Sequence, residues 1–60
     1  MRSVGYDSAT SVLEIEFHNG SIYQYFSVPS NIHQGLMGAP SHGQYHHRHI
    51  RDRYRYRQIR

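Results

Sequence analysis

The side chains best suited to chemistry are concentrated near the carboxyl end of the chain. Six of the seven arginines lie between residues 46 and 60 with one aspartate, so this stretch has a net charge of +5. A guanidinium group forms paired hydrogen bonds with phosphate oxygens, and a tyrosine ring stacks on bases of any sequence. The stretch therefore predicts contact with nucleic acid. The predicted contact residues are Arg48, Arg51, Arg53, Tyr54, Arg55, Tyr56 and Arg57.

The alternative is a solvated segment whose arginines pair with the acidic side chains of the chain itself. The available partners are Glu14, Glu16 and Asp52, which are fewer than the six arginines. Pairing would therefore leave cations unneutralised. Binding through released counterions is blind to sequence, so the excess charge predicts affinity for a polyanion and says nothing about specificity.

The histidines raise the possibility of a metal site. On a helix, His42 and His46 are four residues apart and His46 and His49 are three apart, so one face could present either pair to zinc, nickel or copper. The chain has no cysteine, and a structural zinc site normally needs four protein ligands. We therefore expect no metal and no cofactor, and histidines that add positive charge below about pH 6.5.

The residues of a nucleophilic catalyst are present only as neighbours in sequence. Ser41 precedes His42, and Ser30 lies three residues before His33, but neighbours in sequence rarely meet in the geometry of a catalytic pair. A domain of 60 residues buries only about 60% of its unfolded surface, which leaves little chain for a deep cleft. We expect no catalytic residue, no small-molecule substrate and no enzyme activity.

Composition narrows the class of protein further. The sequence has no apolar run near the roughly 20 residues of a membrane-spanning helix, and no signal peptide is expected at the amino end. The lack of cysteine fits a reducing compartment, so we expect a cytoplasmic protein that does not contact membranes. We expect residues 1–60 to form a single domain, with a folded body of about residues 2–51 and a basic segment of residues 52–60.

The amino-terminal half reads as strands. Residues 2–7, 12–17 and 22–26 alternate in hydrophobicity, and a polar turn and an Asn19-Gly20 pair separate them. The second hairpin has two possible registers. A two-residue loop places the tyrosines outward beside the glutamates. A three-residue loop, with Gly20 in the left-handed conformation, sets Leu13 opposite Tyr25 and Ile15 opposite Tyr23.

We favour the three-residue loop because the chain is short of apolar area for a core. Tyr23 and Tyr25 then become half-buried core residues whose hydroxyls reach the rim. In the other register the same rings form an exposed platform on which bases could stack. Both registers are consistent with the sequence.

Helical patterns follow. Ser30 is expected to cap a helix through about residue 39, and Ser41 with Gln44 forms a capping box for a second helix over about 42–51. Residues 53–57 alternate strictly, which fits an added strand or an extended tail. The predicted fold is α+β: a three-stranded antiparallel meander followed by two short helices packed on one face, with a basic extended carboxyl-terminal segment.

Several of these motifs together resemble the KTSC domain. They are Tyr6-Asp7, Phe17-x-Asn19-Gly20, Tyr23-x-Tyr25, Val28-Pro29, Ala39-Pro40-Ser41-His42-Gly43 and Ile50-Arg51-x-x-Tyr54. That domain is named for the carboxyl terminus of some lysyl-tRNA synthetases and also occurs alone. The resemblance implies a compact unit centred on the tyrosine pair. It offers no catalytic residues, and it suggests RNA in preference to DNA.

The chain departs from the family pattern at two positions. His46 and His47 stand where the family usually has an aromatic residue and an asparagine. If position 46 lies in the core, its histidine needs a hydrogen-bond partner. The competing hypothesis for the whole chain is a protein-docking or homo-oligomerisation module, because a small core gains stability from a partner.

Overall fold

The chain folds into one antiparallel sheet with two helices on one side. The computed structural model describes all 60 residues. The sheet has four strands in the order β1-β2-β3-β4, and both helices lie between β3 and β4 in the chain. The elements are β1 (Ser3–Asp7), β2 (Val12–Glu16), β3 (Ile22–Tyr25), α1 (Ser30–Gly38), α2 (His42–His49) and β4 (Tyr56–Gln58). Neither helix is long and apolar enough to cross a membrane.

The β2–β3 hairpin has the register predicted for a three-residue loop. Leu13 lies opposite Tyr25 and Ile15 opposite Tyr23. Gly20 has a φ of +89°, a conformation that glycine adopts without the steric cost of a side chain. The Phe17 amide donates to the Ser21 carbonyl at 2.9 Å and closes the loop. The two tyrosines therefore share the face of Leu13 and Ile15, and the exposed-platform register is wrong.

The prediction of three strands is wrong, because the end of the basic segment adds a fourth. Tyr56 pairs with Tyr25, and Arg57 pairs with Gln24. The Phe26 amide also donates to the Arg55 carbonyl at 2.9 Å. Without this pairing the free edge of β3 would leave a row of backbone donors and acceptors unpaired. Residues 56–58 are thus part of the sheet and not an extended tail.

The core lies between the sheet and the two helices. Six side chains are buried: Leu13, Ile15, Tyr25, Val28, Leu36 and Ile50. Three of them come from β2 and β3, Leu36 comes from α1, and Ile50 follows α2 directly. Both helices therefore pack on the same face of the sheet, as predicted. The opposite face carries a polar ladder in which Gln24 donates to Glu14 at 3.0 Å.

The two helices begin differently. Ser41 caps α2 as predicted, and its hydroxyl accepts a hydrogen bond from the Gln44 amide at 3.2 Å. The expected Ser30 cap is wrong, because Ser30 is already the first helical residue and no side chain caps α1. Pro29 holds the preceding extended conformation, and its fixed φ directs the chain into the helix. α1 depends on packing through Leu36 for its stability.

A glycine in α1 makes room for a tyrosine of α2. A Cβ atom added at Gly35 would overlap the hydroxyl and ring of Tyr45. Tyr45 is half-buried and packs against the core cluster. The glycine that weakens α1 in isolation is therefore the residue that lets the two helices approach. Gly38, at the end of the same helix, has open space around its Cα.

This contrast gives a matched pair of substitutions. We expect Gly35→Ala to lower the free energy of unfolding by about 1–3 kcal/mol, the usual cost of overpacking. Gly38→Ala should raise the free energy of unfolding by up to about 1 kcal/mol, because alanine favours the helix. Urea denaturation followed by circular dichroism measures both. Equal gains in the two variants would contradict the packing of Tyr45 over Gly35.

Candidate functional site

The sheet face that carries the core is left uncovered beside β3 and β4. An open cleft of about 420 Å³ lies there, and we call it the aromatic cleft. Its lining residues are Phe17, Asn19, Ser21, Tyr23, Tyr25, His46, Arg51, Asp52 and Tyr56. Asn19 and Ser21 come from the β2–β3 hairpin loop, and Arg51 and Asp52 come from the chain that leaves α2.

Three tyrosines of neighbouring strands form the aromatic part of this cleft. The Tyr23 and Tyr25 rings are nearly parallel, with centroids 6.3 Å apart. The Tyr56 ring from β4 lies 5.6 Å from Tyr23 and 5.9 Å from Tyr25. Phe17 meets Tyr23 edge to face at 5.6 Å. Tyr25 is only 3% exposed, whereas Tyr56 is 56% exposed, so the ring of Tyr56 is available to a ligand and that of Tyr25 is not.

A hydrogen bond between Tyr25 and His46 joins the cleft to α2. The Tyr25 hydroxyl lies 2.8 Å from Nε2 of His46. Burial, and then the charges of Arg51 and His47, lower the pKa of His46. Burial, with the neighbouring Tyr23 and Tyr56 hydroxyls, raises the pKa of Tyr25 to about 12. A neutral imidazole and a neutral phenol therefore share this hydrogen bond, and the histidine at position 46 has the partner it needs.

A second depression adjoins the aromatic cleft. It is lined by consecutive residues of the turn after α2, which we call the arginine loop: Arg51, Asp52, Arg53, Tyr54, Arg55 and Tyr56. Arg51, Asp52 and Tyr56 line both depressions. Five of the seven residues predicted to contact nucleic acid therefore lie together here. The ring of Tyr54 also packs against the core cluster.

The other two predicted contact residues lie elsewhere. Arg48 lines a separate depression on α2 together with Pro40 and Tyr45. Arg57 lies on the opposite face of the sheet, where its guanidinium donates to the Gln24 side chain at 3.1 Å. Alternation along β4 explains this separation, because consecutive residues of a strand point to opposite faces. The seven residues do not form one continuous surface.

Most of the carboxyl-terminal arginines have no acidic partner. Arg60 pairs with Glu16 at 3.0 Å, and Arg2 lies 3.9 Å from the same carboxylate. These are the two ion pairs of the structure. Arg51 reaches only the His47 ring, at 3.3 Å. The side chains of Arg53 and Arg55 are exposed and form none of the side-chain hydrogen bonds or ion pairs. The arginine loop therefore presents unneutralised cations to solvent.

Two of the four histidines of α2, His46 and His49, contact aromatic rings. Beyond its bond to Tyr25, His46 meets Phe17 edge to face at 5.3 Å. His49 lies against Tyr45, with ring centroids 4.5 Å apart. No group of three or more histidine, cysteine or acidic side chains is placed to hold a metal ion.

Sequence reasoning missed five members of the cleft. The residues that line the cleft and were not predicted to belong to a site are Phe17, Asn19, Ser21, His46 and Asp52. Two Tyr-x-Tyr pairs, at 23 and 25 and at 54 and 56, were the available signal. A β-strand predicted over the second pair would have placed the ring of Tyr56 beside the first pair.

Comparisons with known proteins agree with the motif resemblance. The model of the KTSC domain family matches residues 1–54. A lysine–tRNA ligase from Trichormus variabilis is 44% identical over 54 residues, which is 90% of this chain and 10% of the ligase. A lysine–tRNA ligase from Nostoc sp. is 41% identical over 59 residues, 98% of this chain and 10% of the ligase. The chain thus spans about a tenth of these ligases.

A solved structure has the same fold. The crystal structure of a KTSC domain protein from Yersinia pestis superposes with a TM-score of 0.89 at 37% sequence identity. The match covers 97% of this chain and 82% of that one. The α+β architecture and the resemblance drawn from the motifs are confirmed.

The Tyr25–His46 pair predicts how stability depends on pH. Because the folded state lowers the pKa of His46, the unfolded state binds more protons below the ordinary histidine value of about 6.5. The free energy of unfolding should therefore fall as the pH drops from 7 towards 5, by at most about 1.4 kcal/mol per pH unit from this residue. His46→Gln, which keeps an acceptor and does not titrate, should lose less stability over the same range. Urea denaturation at each pH measures the difference. Parallel curves for the two proteins would contradict the neutral imidazole.

Proposed function

The chain belongs to the KTSC domain family, and from that premise we propose that it is a small, non-catalytic module that binds RNA through its arginine loop. The observation that carries this proposal is the lack of any carboxylate partner for Arg51, Arg53 and Arg55. These three cations lie on an exposed turn that contains one aspartate, Asp52. A polyphosphate strand supplies the missing anions, and release of its counterions drives binding.

The type of cation supports a nucleic acid over other polyanions. Every cationic side chain of the loop is an arginine, whose planar fork matches the oxygens of a phosphate group. Tyr56 stands next to these arginines with its ring 56% exposed, and stacking on a ring requires a ligand that has bases. RNA is favoured over DNA because the ligase relatives carry transfer RNA in their names. A cytoplasmic location, where such RNA is found, goes with this proposal.

The absence of an enzyme function is part of the same proposal. The aromatic cleft contains a histidine, His46, whose pKa burial lowers, and a phenol, Tyr25, whose pKa burial raises. Ser41 is used as a helix cap, and the Glu16 carboxylate is engaged by Arg60. These arrangements support structure and binding, since none of them activates a nucleophile against a bound substrate.

The proposal predicts a salt-dependent affinity that the loop arginines control. We expect micromolar binding of a single-stranded RNA at about 50 mM salt, falling steeply as salt rises. The double variant Arg53→Gln/Arg55→Gln should weaken binding about tenfold and reduce the slope of log affinity against log salt by about 1.4, or 0.7 per lost phosphate contact. Fluorescence anisotropy of labelled RNA measures both quantities.

Arg2→Gln is the control, because it also removes an exposed arginine, but one that lies just before β1 and beside Glu16. It should leave the affinity within about twofold and the salt slope unchanged. No binding of the unmodified protein at about 50 mM salt would overturn the proposed function. Equal losses in the control and the double variant would contradict the arginine loop as the binding surface.

A second candidate function is self-association through the sheet edges. β1 and β4 are the outer strands of the sheet, and outer strands carry unpaired backbone groups that can join another sheet. Ile59, next to β4, is 44% exposed. A concentration-dependent dimer in sedimentation velocity, formed without RNA, would favour this candidate. A monomer at all concentrations would count against it.

A further inference from the structure

We propose, on the basis of the RNA-binding function above, that the aromatic cleft receives a single unpaired base of the bound strand. The base would stack on Tyr56 and Tyr23 while the phosphate next to it contacts the arginine loop. The ligand class is therefore unpaired RNA, such as a single strand or a loop, and not a continuous duplex.

The adjacency of the two depressions is the first argument. Arg51, Asp52 and Tyr56 line both the aromatic cleft and the arginine loop. A nucleotide whose phosphate lies beside the guanidinium of Arg51 can therefore place its base in either depression. The aromatic cleft is lined by four aromatic rings and the His46 imidazole, whereas the arginine loop has two tyrosine rings, and a base gains most from contact with an aromatic face.

The chemistry of the cleft wall is the second argument. The interior has aromatic rings and a neutral histidine, which suits an uncharged planar group and not a phosphate. Burial lowers the pKa of His46 and raises that of Tyr25, so neither carries charge at neutral pH. Arg51 is the one arginine that lines the cleft, and Arg53 and Arg55 line only the adjoining depression. Rings in one depression and cations in the next match the division of a nucleotide into base and phosphate.

Polar groups in the lining of the cleft are the third argument. The Asn19 side-chain oxygen accepts bonds from the Ser21 amide and hydroxyl, at 3.0 and 2.7 Å. The Asn19 amide nitrogen therefore remains a donor. The Asp52 carboxylate forms neither of the structure's two ion pairs and remains an acceptor. One donor and one acceptor can read the edge of an extruded base.

A duplex does not fit this arrangement. The bases of a duplex are stacked within the helix, and the A-form major groove is too narrow for side chains to read them. A duplex therefore contacts only the arginine loop through its phosphates. Removal of a cleft ring should weaken the single strand selectively, whereas removal of loop arginines should weaken both ligands.

The test compares Tyr56 variants against three labelled probes of equal length: single-stranded oligouridylate, an RNA duplex, and an abasic strand that has phosphates without bases. We expect Tyr56→Ala to bind oligouridylate at least about fivefold more weakly, the low end of one lost stacking contact. Its affinity for the duplex and the abasic strand should stay within about twofold. Tyr56→Phe, which keeps the ring, should bind like the unmodified protein.

Ile59→Ala is the matched control, because Ile59 is 44% exposed, lies next to β4 and does not line the cleft. It should leave all three affinities unchanged. Circular dichroism of each variant establishes that the fold is retained. In NMR spectra of the saturated complex, ring protons of Tyr56 and Tyr23 should show cross-peaks to base protons.

The outcomes separate this inference from the proposed function. If Tyr56→Ala binds oligouridylate as tightly as the unmodified protein does, while the Arg53→Gln/Arg55→Gln variant binds weakly, the cleft proposal is overturned and RNA binding stands. A lack of cross-peaks between the rings and the bases overturns the cleft proposal as well. If none of the three probes binds at about 50 mM salt, the RNA-binding function itself is overturned.

Discussion

The register of the β2–β3 hairpin determines where every later side chain of the site lies. A loop of three residues ending at Gly20, with its φ of +89°, places Tyr23 and Tyr25 on the same face as Leu13 and Ile15. A slip of one residue would exchange the two faces. β4 then pairs with β3 and inherits its alternation, so Tyr56 joins the tyrosines and Arg57 lies on the opposite face. One glycine in a turn therefore fixes the composition of a cleft built from three separate segments.

The same alternation divides the arginines, which the sequence presents as one group. Within β4, Arg57 is directed away from the cleft and bonded to Gln24, and beyond it Arg60 returns to Glu16. The turn before β4 is free of this constraint, because a turn has no fixed two-residue period. In a continued strand, Arg51, Arg53 and Arg55 would share the face of Arg57, but the turn lets all three line one depression together with Tyr56. The net positive charge counted along the chain is therefore larger than the charge that any one part of the folded surface carries.

Local signals were sufficient for most of the fold. The hairpin register, the Ser41 cap and the packing of both helices on one face were predicted from residues within about ten positions of each other. The fourth strand was not, because its pairing joins Tyr25 to Tyr56 across both helices. An alternating Arg-Tyr stretch fits a strand or a tail equally well on its own. The first helix was placed correctly and its cap was not, since Pro29 already sets the entering backbone and Ser30 can begin the helix.

The site was less predictable than the fold for the same reason. The cleft forms only because β4 lies beside the end of α2, and no local sequence pattern predicts that arrangement. His46 illustrates the difficulty. Its sequence context fitted either a solvent-facing cation or a core residue in need of a hydrogen-bond partner, and tertiary contact makes it a neutral partner of Tyr25. Gly35 is similar, because the need for glycine is set by Tyr45 on another helix.

The open cleft follows from how little chain is available to cover the sheet. Only six side chains are buried, and the two short helices cover the core but leave Tyr56 56% exposed. Leucines at these positions would leave an apolar surface exposed to water, whereas tyrosines place hydroxyls at the rim that water or a partner can satisfy. An apolar group packed over the rings would leave those hydroxyls buried without hydrogen bonds, at a cost of a few kcal/mol each. A flat ligand with polar edges would both shield the rings from water and hydrogen-bond the hydroxyls. The uncovered part of this small core is therefore the place that best suits a base.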